Sequence, residues 1–350
     1  MTNFTDLLST SSVRNGLDAE RVKAAARELF GFHAVGIARV ADWHSGSQGL
    51  NRWLKQGFQA DMAWMDTPKR QDIRQVMPTV QSVICVALNY YTSQQRKDDA
   101  ECAKLSRYGW GRDYHRILHK KLKAFALWLE AQGSDIQSRY YADTGPVQDK
   151  VWAERAGLGW IAKNSNLITR DYGSWVFLGE VLTNIELVPD RPHTQHCGTC
   201  TRCIQACPTE AIAQPFVVDA NRCIAYHTIE NRAPDLPEGI QSHLQGWVAG
   251  CDICQDVCPW NQRFAQETDV AEFHPYPWNI SPTLRSLADM TDEEWSDRFP
   301  ASAFRRIKPH MLRRNARANL AAQTVGLPSP SPDLSEDLSQ GNDSKTSRET

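Results

Sequence analysis

Eight of the chain's ten cysteines fall between Cys197 and Cys258, and this crowding limits the possible folds more than any other feature. Cys197, Cys200, Cys203 and Cys207, with Pro208 after the last, follow the spacing C-x2-C-x2-C-x3-C-P. In such a run three thiolates curl around one corner of an iron–sulfur cube, and the fourth serves a second cluster. Cys251, Cys254 and Cys258-Pro259 form a sparser second group whose one unassigned candidate partner is Cys223. Pseudo-twofold logic then gives Cys197, Cys200, Cys203 and Cys258 to one [4Fe-4S] cluster. Cys207, Cys223, Cys251 and Cys254 go to the other. A pair of zinc sites is the alternative, since CxxC pairs also suit zinc. Zinc needs neither the third CxxC step nor the two Cys-Pro endings. Outside the scheme, Cys85 is expected in the core and Cys102, in a charged stretch, at the surface. His193 and His196 are expected to be solvated loop residues.

A chain of 350 residues predicts about two domains, with enough length to bury a core without disulfides. Lys plus Arg number 39 against 41 Asp plus Glu, which excludes a strongly basic nucleic-acid binder and leaves room for a local basic patch. Met1 to Glu20 lacks a cationic start followed by an apolar core, so no secretory signal is expected. The longest purely apolar run, Val83 to Leu88, is far short of the ~20 residues of a membrane helix. Clustered thiols with neither feature predict a cytoplasmic protein holding metal rather than disulfides.

The hydrophobic periods predict an α/β fold. Residues 18–30 read as an amphipathic helix capped by Asp18, residues 115–131 as a second, and 147–156 as a third. Strands are expected at 34–38, 83–91, 138–142 and 175–187, with 83–91 buried on both faces. The expected division is an α/β domain over 1–190, a ferredoxin-like module over 191–265, a short helical region over 266–327 and a disordered tail over 328–350. The tail is rich in Ser and Pro and has too little apolar surface to order itself.

Paired clusters imply one-electron transfer, either in a carrier or in a reductase with its own site. A carrier needs little beyond the cysteine module, so the α/β domain ahead of it favours an enzyme. No glycine-rich dinucleotide fingerprint follows a strand; Gly157 and Gly159 read as a helix stop.

Three strings then narrow the reading: Trp110 to His115 (WGRDYH), Tyr141 to Val147 (YADTGPV), and Glu154 to Ser165 (ERAGLGWIAKNS). With the double-cluster module behind them, they resemble the epoxyqueuosine reductases over roughly residues 15–325. The resemblance implies a cobalamin-dependent enzyme, working as a monomer, that removes the epoxide oxygen of epoxyqueuosine at the tRNA wobble position. An external low-potential donor of flavodoxin or ferredoxin type would supply the electrons. A reductase of another substrate, such as an organohalide, is the runner-up, and a ferredoxin-type carrier the third reading. The Asp-x-His-x-x-Gly signature of histidine-ligated cobalamin is absent; Asp42 to Gly46 comes near, with its glycine one residue early. The resemblance therefore implies a cobalt without that type of histidine ligand.

Asp143 matches the family's proton donor, a role requiring a carboxyl whose pKa is raised by a dry pocket; from its sequence context alone it is a turn residue. Tyr114 is expected at the pocket with Asp113, which is equally a helix cap. The resemblance further implies cofactor contacts from Ser106, Lys163, Asn164 and Ser165, and apolar walls from Leu167 and Leu178. Arg305, Arg306, Lys308, Arg313, Arg314 and Arg317 have no acid among them between Phe304 and Arg317. They read as an unopposed phosphate-binding face for tRNA or as a solvated surface. Trp110, Trp247 and Trp260 are either stacking surfaces for bases or buried aromatics.

Overall fold

The computed structural model describes residues 17–42 and 46–324. The near-signature around His44 and the tail from 328 lie outside the described residues.

Four strands, β1 (Ala34–Arg39), β2 (Ser82–Asn89), β3 (Ser138–Tyr141) and β4 (Val176–Thr183), form one sheet in the order β1-β2-β4-β3. The alternation of helices and strands is as the periods predict, but every pairing in this sheet is antiparallel. All eight residues of β2 are buried, because both faces of the sheet are covered. Ile84, Val86 and Leu88 face one core with Leu118, Leu122 and Phe125 of helix α2 (Tyr114–Glu130). Val83, Cys85 and Ala87 face a second core with Trp152 and Ala153 of helix α3 (Asp149–Arg155). Each such fully buried large side chain contributes about 1.5–3 kcal/mol by leaving water. At Gly36 in β1 a Cβ would fall 1.9 Å from the Ala156 carbonyl oxygen, so only glycine lets the end of α3 lie this close. Preceding the sheet, helix α1 (Ala19–Glu28) begins at Asp18, whose carboxylate accepts the Arg21 amide at 2.7 Å.

A third core joins the chain's middle to its end. The short strand Lys104–Leu105 pairs in parallel with Trp247–Ala249. Apolar side chains of 284–316, among them Leu287, Phe304 and Met311, pack against them. Helix α4 (Pro309–Thr324) is fastened there by amides: Asn315 donates to the carbonyls of Thr228 and Val248, and Asn319 donates to that of Trp247. Buried carbonyls at this sheet edge are thereby satisfied.

Cys85 is fully buried, as expected. Cys102 is buried too, contrary to the expectation of an exposed thiol; it bridges to Thr283, so the carboxy-terminal segment covers it. Trp110 and Trp247 are core residues, whereas Trp260 packs on Trp160 with ring centroids 4.7 Å apart. Among the described residues no helix is long and apolar enough to cross a membrane.

Candidate active site

A cavity of about 900 Å³ opens where the sheet domain meets the cysteine segment and the carboxy-terminal region. Its chemistry begins at the first turn of α2. Asp113 caps that helix by accepting the His115 amide at 3.0 Å, and its carboxylate meets His115 Nδ1 at 2.7 Å. The other ring nitrogen, Nε2, lies 3.0 Å from the Asp143 carboxylate. Burial lowers the His115 pKa, but hydrogen bonds and charge from Asp113 and Asp143 outweigh it and carry the pKa up to about 9. At neutral pH the ring is an imidazolium donating to both carboxylates. It has no free nitrogen to offer a metal. Tyr114 stacks between His115, at 4.0 Å, and Phe177, at 4.1 Å, and its hydroxyl faces Asp143.

Asp143 itself departs from the expected raised pKa. Burial pushes its carboxyl up, but His115, then Tyr114 and Arg70, hold it below the ordinary carboxylate range. The exchangeable proton therefore sits on His115. Asp143 has a φ of 58°, a left-handed conformation that Asp tolerates better than most residues. Its turn is held from outside by Arg70, which donates to the Gly145 carbonyl at 2.9 Å and the Val147 carbonyl at 3.0 Å. Behind the turn, the fully buried Glu180 of β4 faces the half-buried Asp149 of α3, and burial raises both pKa values. Two carboxyls so placed cannot both ionise.

The eight cysteines gather into two groups. Cys197, Cys200, Cys203 and Cys258 line one cavity of about 130 Å³. In the other, Cys254 feels Cys223 and Cys207, and Cys251 feels Cys254 and Cys223. Backbone N–H groups point at the sulfurs: Ala211 at Cys207, Ala225 and Tyr226 at Cys223, Ile253 at Cys251, Trp260 and Asn261 at Cys258. Such donors stabilise thiolates and tune iron–sulfur clusters. The donor set fits two four-thiolate clusters.

Lys163, Asn164 and Ser165 come together beside these loops rather than in the large cavity. Lys163 donates to the carbonyls of Gly198 and Cys200, Asn164 to that of Cys254, and Ser165 to that of Phe216. Ser106 is buried against Gly250, where a Cβ would fall 2.2 Å from its Oγ, and it does not line the cavity. Leu167 lies in the short strand Leu167–Ile168, and Leu178 in β4; both pack in the second core. The neighbouring Asn166 does line the cavity and accepts from Lys150. Lys150 also donates to the Ser165 carbonyl at 2.9 Å and lies in the electrostatic field of Cys254, Asp149 and Asp143. His196 lines the thiol cavity and contacts Trp160, while His193 lies beside it.

The carboxy-terminal cations are not the unopposed set their sequence suggests. Arg306 pairs with Glu230 at 2.5 Å and lines the cavity, and Arg313 pairs with Asp292 at 2.6 Å. Arg314 donates to the carbonyls of His227 and Asn231, and Arg305 to that of Phe299. Lys308 and Arg317 are exposed. The acids come from other segments, so the local sequence conceals them. Sequence reasoning also passed over His115, Arg70, Trp64 and Glu230. His115 had a signal, an aspartate two residues before it inside a string already singled out; Arg70 had none.

A protein-family model described as "Epoxyqueuosine reductase QueG, DUF1730" matches residues 70–144, and one described as "4Fe-4S double cluster binding domain" matches 196–261. The chain is 66% identical over 288 residues to an epoxyqueuosine reductase of Synechocystis sp., covering 82% of this chain and 100% of that one. With the Cellulophaga algicola epoxyqueuosine reductase it shares 40% identity over 299 residues, 85% of this chain and 96% of the other. Among solved structures, one of an epoxyqueuosine reductase with an epoxyqueuosine-modified tRNA-Tyr stem loop superposes with a TM-score of 0.79 at 29% identity, covering 87% of this chain and 80% of that one. A Bacillus subtilis epoxyqueuosine reductase with its catalytic aspartate loop swung out of the active site gives a TM-score of 0.78 at 29% identity over 87% and 81% of the two chains.

Proposed function

The chain belongs to the epoxyqueuosine reductase family, and from that premise we propose how its own residues reduce epoxyqueuosine to queuosine in tRNA. The cofactors are two [4Fe-4S] clusters and cobalamin. Two electrons and two protons convert the epoxide to an alkene and release water. When bound, cobalamin supplies the electrons, replenished through the clusters.

The large cavity suits that cofactor. Tyr114 and Phe177 offer a flat apolar wall, while Asn166, Ser174 and Gln255 offer partners for amide side arms. With both nitrogens of His115 held by carboxylates, the wall provides no histidine ligand, in keeping with the missing signature. Cleaving the epoxide C–O bonds leaves negative charge on oxygen, and a positioned acid lowers that barrier by about 10²–10⁴-fold. The His115–Asp143 pair holds the proton that meets this charge. His115 stores it, and Asp143 passes it to the departing oxygen. Asp113 keeps the ring oriented.

The tRNA enters from the side of Lys308 and Arg317, two exposed cations of the helical region. An external low-potential donor of flavodoxin or ferredoxin type delivers electrons to the first thiol group, and the chain works as a cytoplasmic monomer. The observation that carries the reading is the His115–Asp143 hydrogen bond of 3.0 Å in a cavity whose wall includes Gln255, the neighbour of Cys254. Its test is single-turnover formation of queuosine on a modified stem-loop RNA with the cofactors already reduced. Asp143→Asn should retain cluster and cobalamin spectra and slow the reaction by about 10²–10⁴-fold. Near-normal rates would remove Asp143 from proton delivery.

A further inference from the structure

Trp64, Thr67, Lys69 and Arg70 line the large cavity, and of these only Arg70 has entered the account of the site so far. Trp64, on the single turn Ala63–Met65, leaves 46% of its surface exposed and lines the cavity. An indole so exposed forgoes the stabilisation of burial, so a partner for it is worth seeking. One is already present: the Arg70 guanidinium lies 4.9 Å from the ring centroid. Arg70 is itself only 9% exposed. Its two terminal nitrogens serve the Gly145 and Val147 carbonyls, and the Gln148 amide returns a bond of 2.7 Å to the Arg70 carbonyl. The turn bearing Asp143 thus hangs on Arg70, and Arg70 lies against Trp64.

An exposed aromatic ring flanked by cations suits an unpaired nucleobase and its phosphate. The base stacks on the π-face while the cations meet the backbone. Arg70 is committed to the carbonyls of the turn, so Lys69, exposed and also at the cavity wall, is the cation available to a phosphate. We propose that Trp64 is a stacking platform for an unpaired base next to the modified nucleotide, and that Arg70 ties this platform to the catalytic turn. Base docking and placement of Asp143 then become one event. The proposal rests on the RNA-substrate reading. It adds a binding residue, Trp64, and a positioning residue, Arg70, that touches neither substrate nor cofactor.

The experiment uses full-length holoenzyme and an anticodon stem-loop RNA bearing the modified nucleotide, with binding and turnover measured separately. Trp64→Ala should raise Kd about 5- to 100-fold, the loss of one stacked base, with the larger part of its kinetic effect in KM. Trp64→Phe keeps a π-face and should recover most of the affinity. Trp64→Leu keeps apolar bulk without that face and should behave like the alanine variant. Arg70→Lys keeps the charge but cannot hold two carbonyls in a planar fork. It should lower kcat at least ten-fold and change Kd less than two-fold. Wild-type affinity in Trp64→Ala would overturn the proposal. So would a loss of cobalamin loading in Trp64→Leu with RNA affinity intact, because the ring would then be covering the cofactor. Failure of the wild-type holoenzyme to bind or turn over the stem loop would instead strike the RNA-substrate reading, and the platform with it.

Discussion

The cysteine segment and the sheet domain reach order by opposite routes. Between Cys197 and Cys258 the helices run only four to six residues. The apolar cluster there is small: Ile224, Leu236, Ile240, Leu244 and Trp247. The sheet domain has a strand buried along its whole length between two large cores. One region is organised by ligands to an inorganic core, the other by apolar area. Damage should therefore spread differently in each: losing a thiolate endangers a whole module, whereas losing a polar side chain in the cavity wall leaves the sheet standing.

The largest expected effect tests this contrast directly. Cys223 lies outside both dense motifs, yet its thiol joins Cys207, Cys251 and Cys254. Cys223→Ala should lose about half of the bound iron, or unfold the module outright, because metal binding and folding are coupled there. The far-ultraviolet dichroism of the sheet domain should survive. Full iron retention would break both the assignment and the comparison.

The same contrast decides what was legible in the sequence. Cluster ligands declare themselves because each motif is local and its spacing is dictated by the shape of the cube. Even so, Cys223 was reached only by elimination. The sheet strands and α2 were legible from their periods, for the burial of β2 on both faces follows from a continuous apolar run. The cavity wall was not, because it is assembled from afar: Arg70 meets a carbonyl 75 positions along the chain, and Glu230 meets Arg306 across 76. Asp143 came through resemblance to a family, and that resemblance carried no information about His115 setting its protonation. Cys102 was misplaced for a related reason, since the segment that buries it, at Thr283, lies far downstream.

A second prediction concerns the wall alone. The ordinary histidine pKa of 6.5 rises to about 9 for His115, and both aspartates are held below their ordinary 3.8. The stabilisation from charged His115 is fully present below about pH 6.5 and is lost as pH rises through about 9. The contribution of Asp113 and Asp143 is present above about pH 4 and is lost as pH falls through their depressed values. Turnover should therefore hold across neutral pH and decline above about 9. His115→Gln should remove that alkaline limb and lower the plateau by about 10²-fold or more, with iron content unchanged. An alkaline limb that persists in the variant would assign it to another group.

The smallest effects separate the cations of the helical region, where the comparison is finest because structural and solvated charges share one short stretch of chain. Lys308 and Arg317 are exposed, and replacing each by Ala should flatten the salt dependence of RNA binding by about 0.7–0.9 in log–log slope per phosphate contact. Thermal stability should stay near wild type. Arg314 sits differently on α4, with its guanidinium serving the carbonyls of His227 and Asn231. Arg314→Ala leaves those acceptors without a donor, at about 1–3 kcal/mol, and should lower the melting temperature while leaving the salt slope alone. Arg313 is intermediate. Its partner Asp292 is largely exposed, so that pair is worth about 0–1 kcal/mol, and its further bond to the Met290 carbonyl adds a modest structural share. A salt slope that flattens in Arg314→Ala at unchanged melting temperature would mean that its bonds open to receive a phosphate. The helix would then be a single cationic surface after all, and the division between structural and RNA-facing charges would fail.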